Sequence, residues 1–432
     1  MDIAIPPANY LSGIYPPRGQ VDKISLSTAC TPSERDRGLA RVLDSVGHRV
    51  QASCELNVIS TDDGVEEAKT ATKNDTLLAQ APSYIRAILD PADTTFPRLE
   101  CPFSNVGRYT YLNASSNSDT TRLPKYFFAL DLHQCVQLLP RLIGSIVEAI
   151  RFLGPENCVL SIVEGRSDDG TFEVLKELRG DIEDRIEALA LLRNLAVKDL
   201  VDNPANYSQD TTVIFSNDIA MCMEDILEIV HQRAIQGADM TCAMDWTYVS
   251  ENPTFYDVWI ARGMTGDSFF HIPEDGSWDL AWNLFWNDEK SRSRLMNLKP
   301  FQVFSCWNGM TAFTAKPLME GQIKFRDHYP EECFQGEPNL FTKDMWYFGY
   351  GKIAVIPSVN VEYSDKAAKK IKALKGYASR HVAKEGDDAR IEWETTPPAK
   401  VKCMPDFKRQ EFVAWDEGLT HFGQESNYIT RR

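Results

Sequence analysis

The sequence predicts an α/β fold with a mostly parallel central sheet, and two observations carry that prediction. Short, dense apolar runs at 126–132, 159–163 and 211–215 are typical of strands that are buried on both faces. Stretches with helical periodicity stand between and after these runs, at 136–153, 171–178, 184–198 and 220–236. Strand–helix alternation at this spacing indicates βαβ units, whose strands lie parallel.

The second half of the chain continues the pattern less regularly. A further strand is predicted at 239–244, directly after the helix at 220–236. Residues 250–300 are rich in Trp and Asp and show little periodicity, which predicts a loop-rich insertion. Two more apolar runs, 301–304 and 353–356, predict the last strands.

Three segments follow from these patterns. Residues 1–80 are polar and rich in turn-forming residues, and they predict a partly disordered N-terminal extension. Residues 81–365 carry the α/β pattern and predict the folded domain. Residues 366–432 are Lys-rich and then polar, and they predict a C-terminal tail.

Composition limits the function classes. The net charge of −16 excludes a typical nucleic-acid-binding protein, because such proteins neutralise phosphates with Lys and Arg. An acidic protein can still bind a nucleotide diphosphate when carboxylates hold a divalent cation. The longest apolar runs are far shorter than the ~20 residues of a membrane helix, and the N-terminus lacks a signal-peptide pattern. We therefore expect no membrane anchor in this sequence.

The cysteines predict no metal site. Ten are scattered along the chain without any Cys-x-x-Cys pair, which argues against zinc. Several lie inside apolar runs, and the sequence favours buried free thiols for them.

Polar clusters follow the predicted strands, where ligands of parallel sheets bind. The turn at 164–171 is suited to a base and ribose, although an Asx-turn with a helix cap explains the same residues. In the segment Ser216-Asn217-Asp218, a strand-end carboxylate suits a divalent cation, and a plain helix cap is the alternative. Glu337 and Asp344 are candidates for a base or charge stabiliser, or are exposed loop acids.

The same residues resemble a known family. The turn at 164–171, Arg193-Asn194 and Ser216-Asn217-Asp218 resemble the first nucleotide-sugar loop, the Arg-Asn pair and the metal motif of glycosyltransferases with the GT-A fold. More specifically, the chain is similar to the fungal cryptococcal α-1,3-mannosyltransferases and capsule-associated proteins. The matching strings include YFFALDLH (126–133), VEGRSDDGT (163–171), FSNDIAMCMEDILE (215–228), ADMTCAMDW (238–246), FQVFSCWNG (301–309) and KDMWYFGYGKIAVIPSV (343–359).

The resemblance implies a function and a set of roles. It implies transfer of mannose from GDP-mannose to an α-mannoside acceptor through an α-1,3 linkage with retention, with Mn²⁺ or Mg²⁺ as cofactor, in the Golgi lumen. It makes Asp218 the metal ligand. The implied donor-binding residues are Glu164, Ser167, Asp168, Arg193, Asn217 and Trp246. The implied catalytic residues are Glu337, Asp344 and Asp245, and the implied sugar or acceptor contacts are Trp307 and Asn308.

Two departures from the family pattern keep an alternative open. Family members carry a membrane anchor, and the link from Thr171 to Arg193 is short for the family and lacks an expected strand. The alternative is a catalytically inactive homologue that acts as a binding or scaffold subunit. A nucleotidyltransferase would need a Gly-rich, basic phosphate loop after the first strand, where the sequence has Asp131-Leu-His-Gln-Cys135 instead.

Overall fold

In the computed structural model of the protein, the described residues are 25–29, 55–59, 71–102, 106–113, 123–165, 167–179, 189–249, 251–329, 331–382 and 390–419. The strands are β1 (Ser25–Ala29), β2 (Glu55–Ile59), β3 (Tyr126–Leu132), β4 (Cys158–Glu164), β5 (Thr212–Ser216), β6 (Met240–Val249), β7 (Asn252–Phe255), β8 (Phe301–Gln302), β9 (Met310–Thr314), β10 (Ile353–Val361), β11 (Lys400–Cys403) and β12 (Glu411–Ala414). The α-helices are α1 (Ala71–Leu89), α2 (Leu139–Leu153), α3 (Thr171–Arg179), α4 (Leu189–Ala196), α5 (Lys198–Asp202), α6 (Met223–Gln236), α7 (Glu289–Met296), α8 (Lys316–Met319), α9 (Glu337–Tyr347), α10 (Asp365–Lys375) and α11 (Ala378–Val382).

One large sheet organises the described residues, in the strand order β2-β1-β4-β3-β5-β9-β6-β10-β8, with β7 paired to β6. The pairs β3–β4, β3–β5 and β6–β10 are parallel. Strand β9 is antiparallel to both β5 and β6, so β3, β4, β5, β6 and β10 all point the same way. The predicted α/β class and mostly parallel central sheet are confirmed. The sequence did not reveal β9.

Alternation along β3 explains why the sheet is covered on both faces. Phe127 and Ala129 belong to one hydrophobic cluster, whereas Phe128 and Leu130 belong to the other. Successive strand residues point to opposite faces, so a continuous apolar run requires packing on each side. Helices α2 and α6 contribute to one cluster, and α9 with the 255–285 segment contributes to the other.

Regular structure is present on both sides of each predicted end of the folded domain. Helix α1 crosses residue 80, and its Ala81, Tyr84 and Ile88 are buried in the cluster that also contains α2. In the tail, the hairpin of β11 and β12 is joined to the central part by the Cys333–Cys403 disulfide. The position beyond β4 is occupied by β1, which runs antiparallel to it. Part of the short link between Thr171 and Arg193, residues 180–188, lies outside the described residues.

Disulfides correct the prediction of free thiols for most of the described cysteines. The bonded pairs are Cys101–Cys222, Cys242–Cys306 and Cys333–Cys403. Cys135 and Cys158 are buried free thiols, as expected. The prediction was wrong for the paired six because their partners are 64 to 121 residues away in sequence, and only the fold brings them together. No helix in the described part of the chain has the length and apolar character needed to cross a membrane.

Candidate active site

The parallel strands β3, β4 and β5 bring three polar loops to one edge of the sheet. Leu132 pairs with Glu164, and Leu130 pairs with Ser216, so the three strands end side by side. We call the loops that follow them, residues 133–136, 164–171 and 217–218, the β3–β5 edge. The sequence predicted ligand contacts in the second and third of these loops.

Hydrogen bonds join the loop after β4 to the loop after β3. The buried Glu164 carboxylate accepts the backbone N–H of Ser167 at 2.8 Å. Ser167 Oγ accepts the backbone N–H of Gln134 at 2.8 Å, and Asp168 Oδ1 accepts the Gln134 side-chain amide at 2.8 Å. These contacts hold Gln134 at a positive φ of 50°. Ser167 and Asp168 therefore shape this edge in the free protein, and their predicted donor role stays a prediction.

Asp169, which the sequence analysis did not single out, completes this join. Its Oδ1 accepts the Thr171 backbone N–H at 2.9 Å, at the start of α3, and its Oδ2 accepts the Val136 backbone N–H at 2.9 Å. A carboxylate at a helix start satisfies backbone donors that have no helical partner. The helix cap that the sequence left open as an alternative is therefore present, and Asp169 provides it.

The segment after β5 presents the candidate metal ligand. Asn217 is held on both sides, because its N–H donates to Gly309 O at 2.9 Å and its Oδ1 accepts the Trp307 indole N–H at 3.1 Å. Asp218 is half-buried beside His133. Burial raises the pKa of the Asp218 carboxyl to about 6, with a backbone N–H and His133 acting in the opposite direction.

The described residues contain no group of three His, Cys, Asp or Glu side chains that could hold a metal by themselves. Asp218 would contribute a single carboxylate. Mg²⁺ is commonly bound in this way, by one or two carboxylates together with substrate phosphates and water. Asp218 thus fits a cation that arrives with a diphosphate, and Mn²⁺ or Mg²⁺ stays a prediction.

Arg193 joins the two sides of the site. Its guanidinium lies 4.6 Å from the centre of the Trp307 ring and 5.4 Å from that of Phe215. Its Nε is 2.8 Å from Glu337 Oε1, at the first residue of α9. The structure therefore brings together Arg193, Trp307, Asn217 and Glu337, all of which the sequence predicted to be functional.

A second carboxyl group, Asp257, was missed by the sequence analysis. It is half-buried, and its Oδ2 accepts the backbone N–H of Asn308 at 2.9 Å. This bond helps to hold a turn in which Asn308 and Gly309 both have positive φ, 53° and 76°. Burial raises the pKa of Asp257 to about 6, while the Asn308 N–H and the Arg193 guanidinium favour its charged form. Only its position after β7, beside β6, brings Asp257 to the site, and no local motif marks it.

Asp245 lies beneath this turn and is fully buried. Its Oδ2 accepts the Tyr363 hydroxyl at 2.7 Å, and a Cβ added to Gly309 would lie 3.5 Å from the Asp245 Cβ. Burial, reinforced by the neighbouring Asp257 carboxyl, raises the pKa of Asp245 well above its ordinary value. We call Asp245, Asp257, the 307–309 turn, Glu337 and Tyr363 the β6–β10 edge.

Two predicted site residues lie elsewhere. The Trp246 ring is buried in the core, its indole N–H donates to Asn360 Oδ1 at 2.8 Å, and Lys375 Nζ is 4.1 Å from the ring centre. Strand residues alternate in direction, so Asp245 and Trp246 cannot both face the site. The indole is therefore enclosed by protein and is not placed to contact a donor.

Asp344 belongs to a buried ion network. Its two oxygens each accept a hydrogen bond from Arg326 at 2.7 Å. Arg326 and Lys343 also contact Glu332, at 2.6 Å and 2.5 Å. Asp344 lies seven positions after Glu337 on α9, or ~10 Å along the axis. Asp344 therefore lies in a buried ion network and Glu337 lies beside Arg193, and the catalytic roles predicted for the two acids stay predictions.

Comparison with known proteins identifies the family. The family model described as Cryptococcal mannosyltransferase 1 matches residues 125–184 and 179–344. The alpha-1,3-mannosyltransferase CMT1 of Cryptococcus neoformans var. neoformans serotype D is 35% identical over 318 residues, which cover 65% of this chain and 68% of that protein.

Solved structures of S. aureus TarS 1–349 are more distant. The first has a TM-score of 0.33 and 14% identity, and the match covers 56% of this chain and 60% of that chain. The complex with UDP-GlcNAc has a TM-score of 0.33 and 13% identity, over 55% of this chain and 58% of that one. The chain therefore spans about three fifths of the TarS structures it matches.

The family match covers the region that carries most of the site. The two family-model matches together run from residue 125 to residue 344, about half of the chain, and include β3 to β7 and both β9 and Glu337. Residues of both edges of the site thus lie within the matched region. This chain belongs to the cryptococcal mannosyltransferase 1 family.

Proposed function

We propose that this chain transfers mannose from GDP-mannose to an α-mannoside acceptor and forms an α-1,3 linkage with retention, in the Golgi lumen. The observation that carries the proposal is its 35% identity to a protein named as an alpha-1,3-mannosyltransferase. The three disulfides support a lumenal location, because disulfides persist in oxidising compartments. An α-linked donor that gives an α-linked product requires retention at the anomeric carbon.

The positions of Asp218, Arg193 and Glu337 suggest a separate role for each residue in the proposed reaction. Asp218 would hold Mn²⁺ or Mg²⁺, and that cation would neutralise charge on the diphosphate leaving group. Arg193 is placed to bind phosphate oxygens, since guanidinium groups bind phosphates in two-point contacts. Its present partner is Glu337, 2.8 Å away. A bound diphosphate would compete for Arg193 and leave the Glu337 carboxylate available near the reacting carbon as a base or charge stabiliser.

The predicted sugar contacts fit the same division. Asn217 accepts the indole N–H of Trp307, and a transferred sugar would lie over this junction of the two edges. Trp307 and Asn308 are as buried as Asp245, so we assign them to supporting the sugar site and not to direct contact. Glu164, Ser167 and Asp168 lie on the β3–β5 edge, where the nucleoside would lie. Asp245 is too deeply buried to touch a substrate, so we assign it a positioning role through Tyr363.

Calorimetric titration of the full chain tests the proposal. GDP-mannose and GDP should bind in the presence of Mn²⁺, lose affinity on adding EDTA, and bind more tightly than UDP. Asp218→Ala should weaken metal-dependent binding by more than about a hundredfold, since the metal term amounts to several kcal/mol. Asp210→Ala is the matched control, because this exposed aspartate lies at the opposite end of β5.

Two results would contradict the proposal. Unchanged GDP affinity in Asp218→Ala would remove the metal assignment. Failure of every nucleotide to bind the wild-type chain would instead favour a non-catalytic homologue that acts as a scaffold.

A further inference from the structure

An exposed aromatic ring stands at the outer side of the β6–β10 edge. The Tyr256 side chain follows β7 and is 39% exposed. The pairing of Trp246 with Phe255 continues so that the Tyr256 N–H donates to Asp245 O at 3.2 Å. The Tyr256 ring centre is 4.8 Å from that of Tyr363. The sheet therefore fixes Tyr256 beside the site and leaves part of its ring in solvent.

Polar groups suited to hydroxyl recognition lie next to this ring. Asp257 is adjacent in sequence and half-buried, and the Tyr363 hydroxyl is fixed by Asp245. Two buried oxygens below them, Asp245 Oδ1 and Asn308 Oδ1, have no hydrogen-bond partner among the described residues. Buried polar atoms usually have partners, and exceptions in a native structure call for an explanation. Here the two unpartnered oxygens belong to Asp245, which bonds to Tyr363, and to Asn308, which bonds to Asp257.

The charge of this region selects the kind of ligand. Asp245 and Asp257 are neighbouring carboxyl groups. The opposite charges that act on Asp257 are the Arg193 guanidinium, which is already paired with Glu337, and the buried Arg262 guanidinium. A diphosphate would be repelled by the Asp257 carboxylate here. A neutral ligand that is rich in hydroxyl groups would not be, because carboxylates accept hydroxyl hydrogen bonds and an aromatic face packs on the apolar face of a pyranose ring.

We infer that Tyr256, Asp257 and Tyr363 form the subsite for the acceptor sugar, with the pyranose ring against Tyr256 and its hydroxyls donating to Asp257. The inference rests on the proposed function, because it assigns the neutral glycan of that reaction to one place. Tyr256 and Asp257 follow β7 and Tyr363 follows β10, whereas the loops proposed for the donor follow β3, β4 and β5. Strand β9 separates these two groups of strands in the sheet, which leaves the donor its own loops. Asp245 acts as a positioning residue through Tyr363.

The test compares acceptor and donor affinity in the full chain. Tyr256→Ala should raise the acceptor KM for methyl α-mannoside about tenfold, the factor that corresponds to a lost contact of ~1.4 kcal/mol. The GDP-mannose dissociation constant should change less than about twofold, and Tyr256→Phe should restore most of the acceptor KM because stacking needs only the ring. Tyr347→Ala is the matched control, a tyrosine that is 43% exposed at the far end of α9.

A second measurement separates this inference from the proposed function. Saturation-transfer NMR with methyl α-mannoside detects binding without turnover, and the signal should fall in Tyr256→Ala but persist in Tyr347→Ala. If the wild type shows the Tyr256-dependent mannoside signal but transfers no mannose from GDP-mannose, the subsite is supported and the proposed function is contradicted. An equal signal in wild type and Tyr256→Ala, absence of any signal in the wild type, or equal loss of donor and acceptor affinity would overturn the subsite.

Discussion

The two edges of the site are built by different means. At the β3–β5 edge, Gln134, Ser167, Asp168 and Asp169 join two neighbouring loops through single hydrogen bonds of 2.8 to 2.9 Å. At the β6–β10 edge, distant segments are tied covalently and by buried charges. Cys306, which directly precedes Trp307, is bonded to Cys242. Cys333, which lies four positions before Glu337, is bonded to Cys403.

This difference suggests separate tasks. Single hydrogen bonds between solvent-facing loops contribute little each, so the β3–β5 edge can adjust around a nucleotide at small cost. Disulfides and buried ion pairs hold the groups near the reacting carbon in one arrangement before any ligand binds. Damage to the first edge should therefore weaken donor binding, whereas damage to the second should reduce turnover or stability.

The largest effect should come from Glu337→Gln. This change keeps the shape of the side chain and removes the carboxylate that is half-buried beside Arg193. If Glu337 acts as base or charge stabiliser, kcat should fall about 10²–10⁴-fold. The GDP-mannose affinity should be retained or increase, because Arg193 loses the partner that competes with the diphosphate. Steady-state kinetics and calorimetry check this, and full activity of the variant would remove Glu337 from the chemistry.

Asp344→Ala should act differently from Glu337→Gln, although both acids lie on α9. It removes one partner of Arg326 from the buried network, and the free energy of unfolding should fall by about 3 kcal/mol. Denaturant unfolding measures that loss. The kcat per folded molecule should stay close to wild type, and a specific loss of kcat at unchanged stability would return Asp344 to the site.

Loss of the Cys242–Cys306 disulfide should have the next largest effect. The double variant Cys242→Ala/Cys306→Ala should lose about 2–4 kcal/mol of stability and show a higher acceptor KM, while GDP-mannose affinity is retained. Cys158→Ala, at an unpaired buried thiol, is the control. Equal melting temperatures of the double variant and the wild type would show that the covalent tie does not stabilise this edge.

At the β3–β5 edge, Gln134→Ala should have a modest effect confined to the donor. It removes the bond to Asp168 and leaves the backbone bond to Ser167 in place. The bond is exposed to solvent, so we expect a net contribution of about 1 kcal/mol and a roughly threefold to tenfold fall in GDP-mannose affinity. An unchanged donor affinity, or an increase in the acceptor KM instead, would contradict the separate tasks of the two edges.

The smallest effect should be a pH-dependent gain in stability for Asp245→Asn. The raised pKa of Asp245 means that the folded chain keeps a proton that the unfolded chain releases above about pH 4. The free energy of unfolding of the wild type therefore falls as the pH rises above that value, whereas that of the variant with a neutral amide does not. We expect a melting temperature about 2 °C higher than wild type at pH 8 and no gain at pH 4. A gain that is equal at both pH values would contradict a buried, protonated Asp245.

Much of the β3–β5 edge was predictable from the sequence. Its strands are dense apolar runs, and its polar residues follow each strand directly, so local pattern was enough to place Glu164, Asn217 and Asp218 together. The loop after β4 was correctly expected to contain either ligand contacts or a cap, and Asp169 supplies the cap.

The β6–β10 edge was less predictable, because long-range pairing creates it. Strand β9 is five residues long, with two threonines, and lies between β5 and β6 only in the folded sheet. Asp257 reaches the site through the pairing of β6 with β7, and the three disulfides join residues 64 or more positions apart. Strand alternation turns the buried Trp246 away from Asp245, a separation that the sequence pattern already contained.

The most direct test of the account is the structure of the reaction product. The purified chain should be incubated with GDP-mannose, methyl α-mannoside and Mn²⁺, and the product linkage determined by NMR. We expect the wild type to form GDP and an α-1,3-linked mannobioside, and Glu337→Gln to form neither. A folded chain that binds GDP-mannose but forms no mannoside, or one that forms a β linkage, would contradict it.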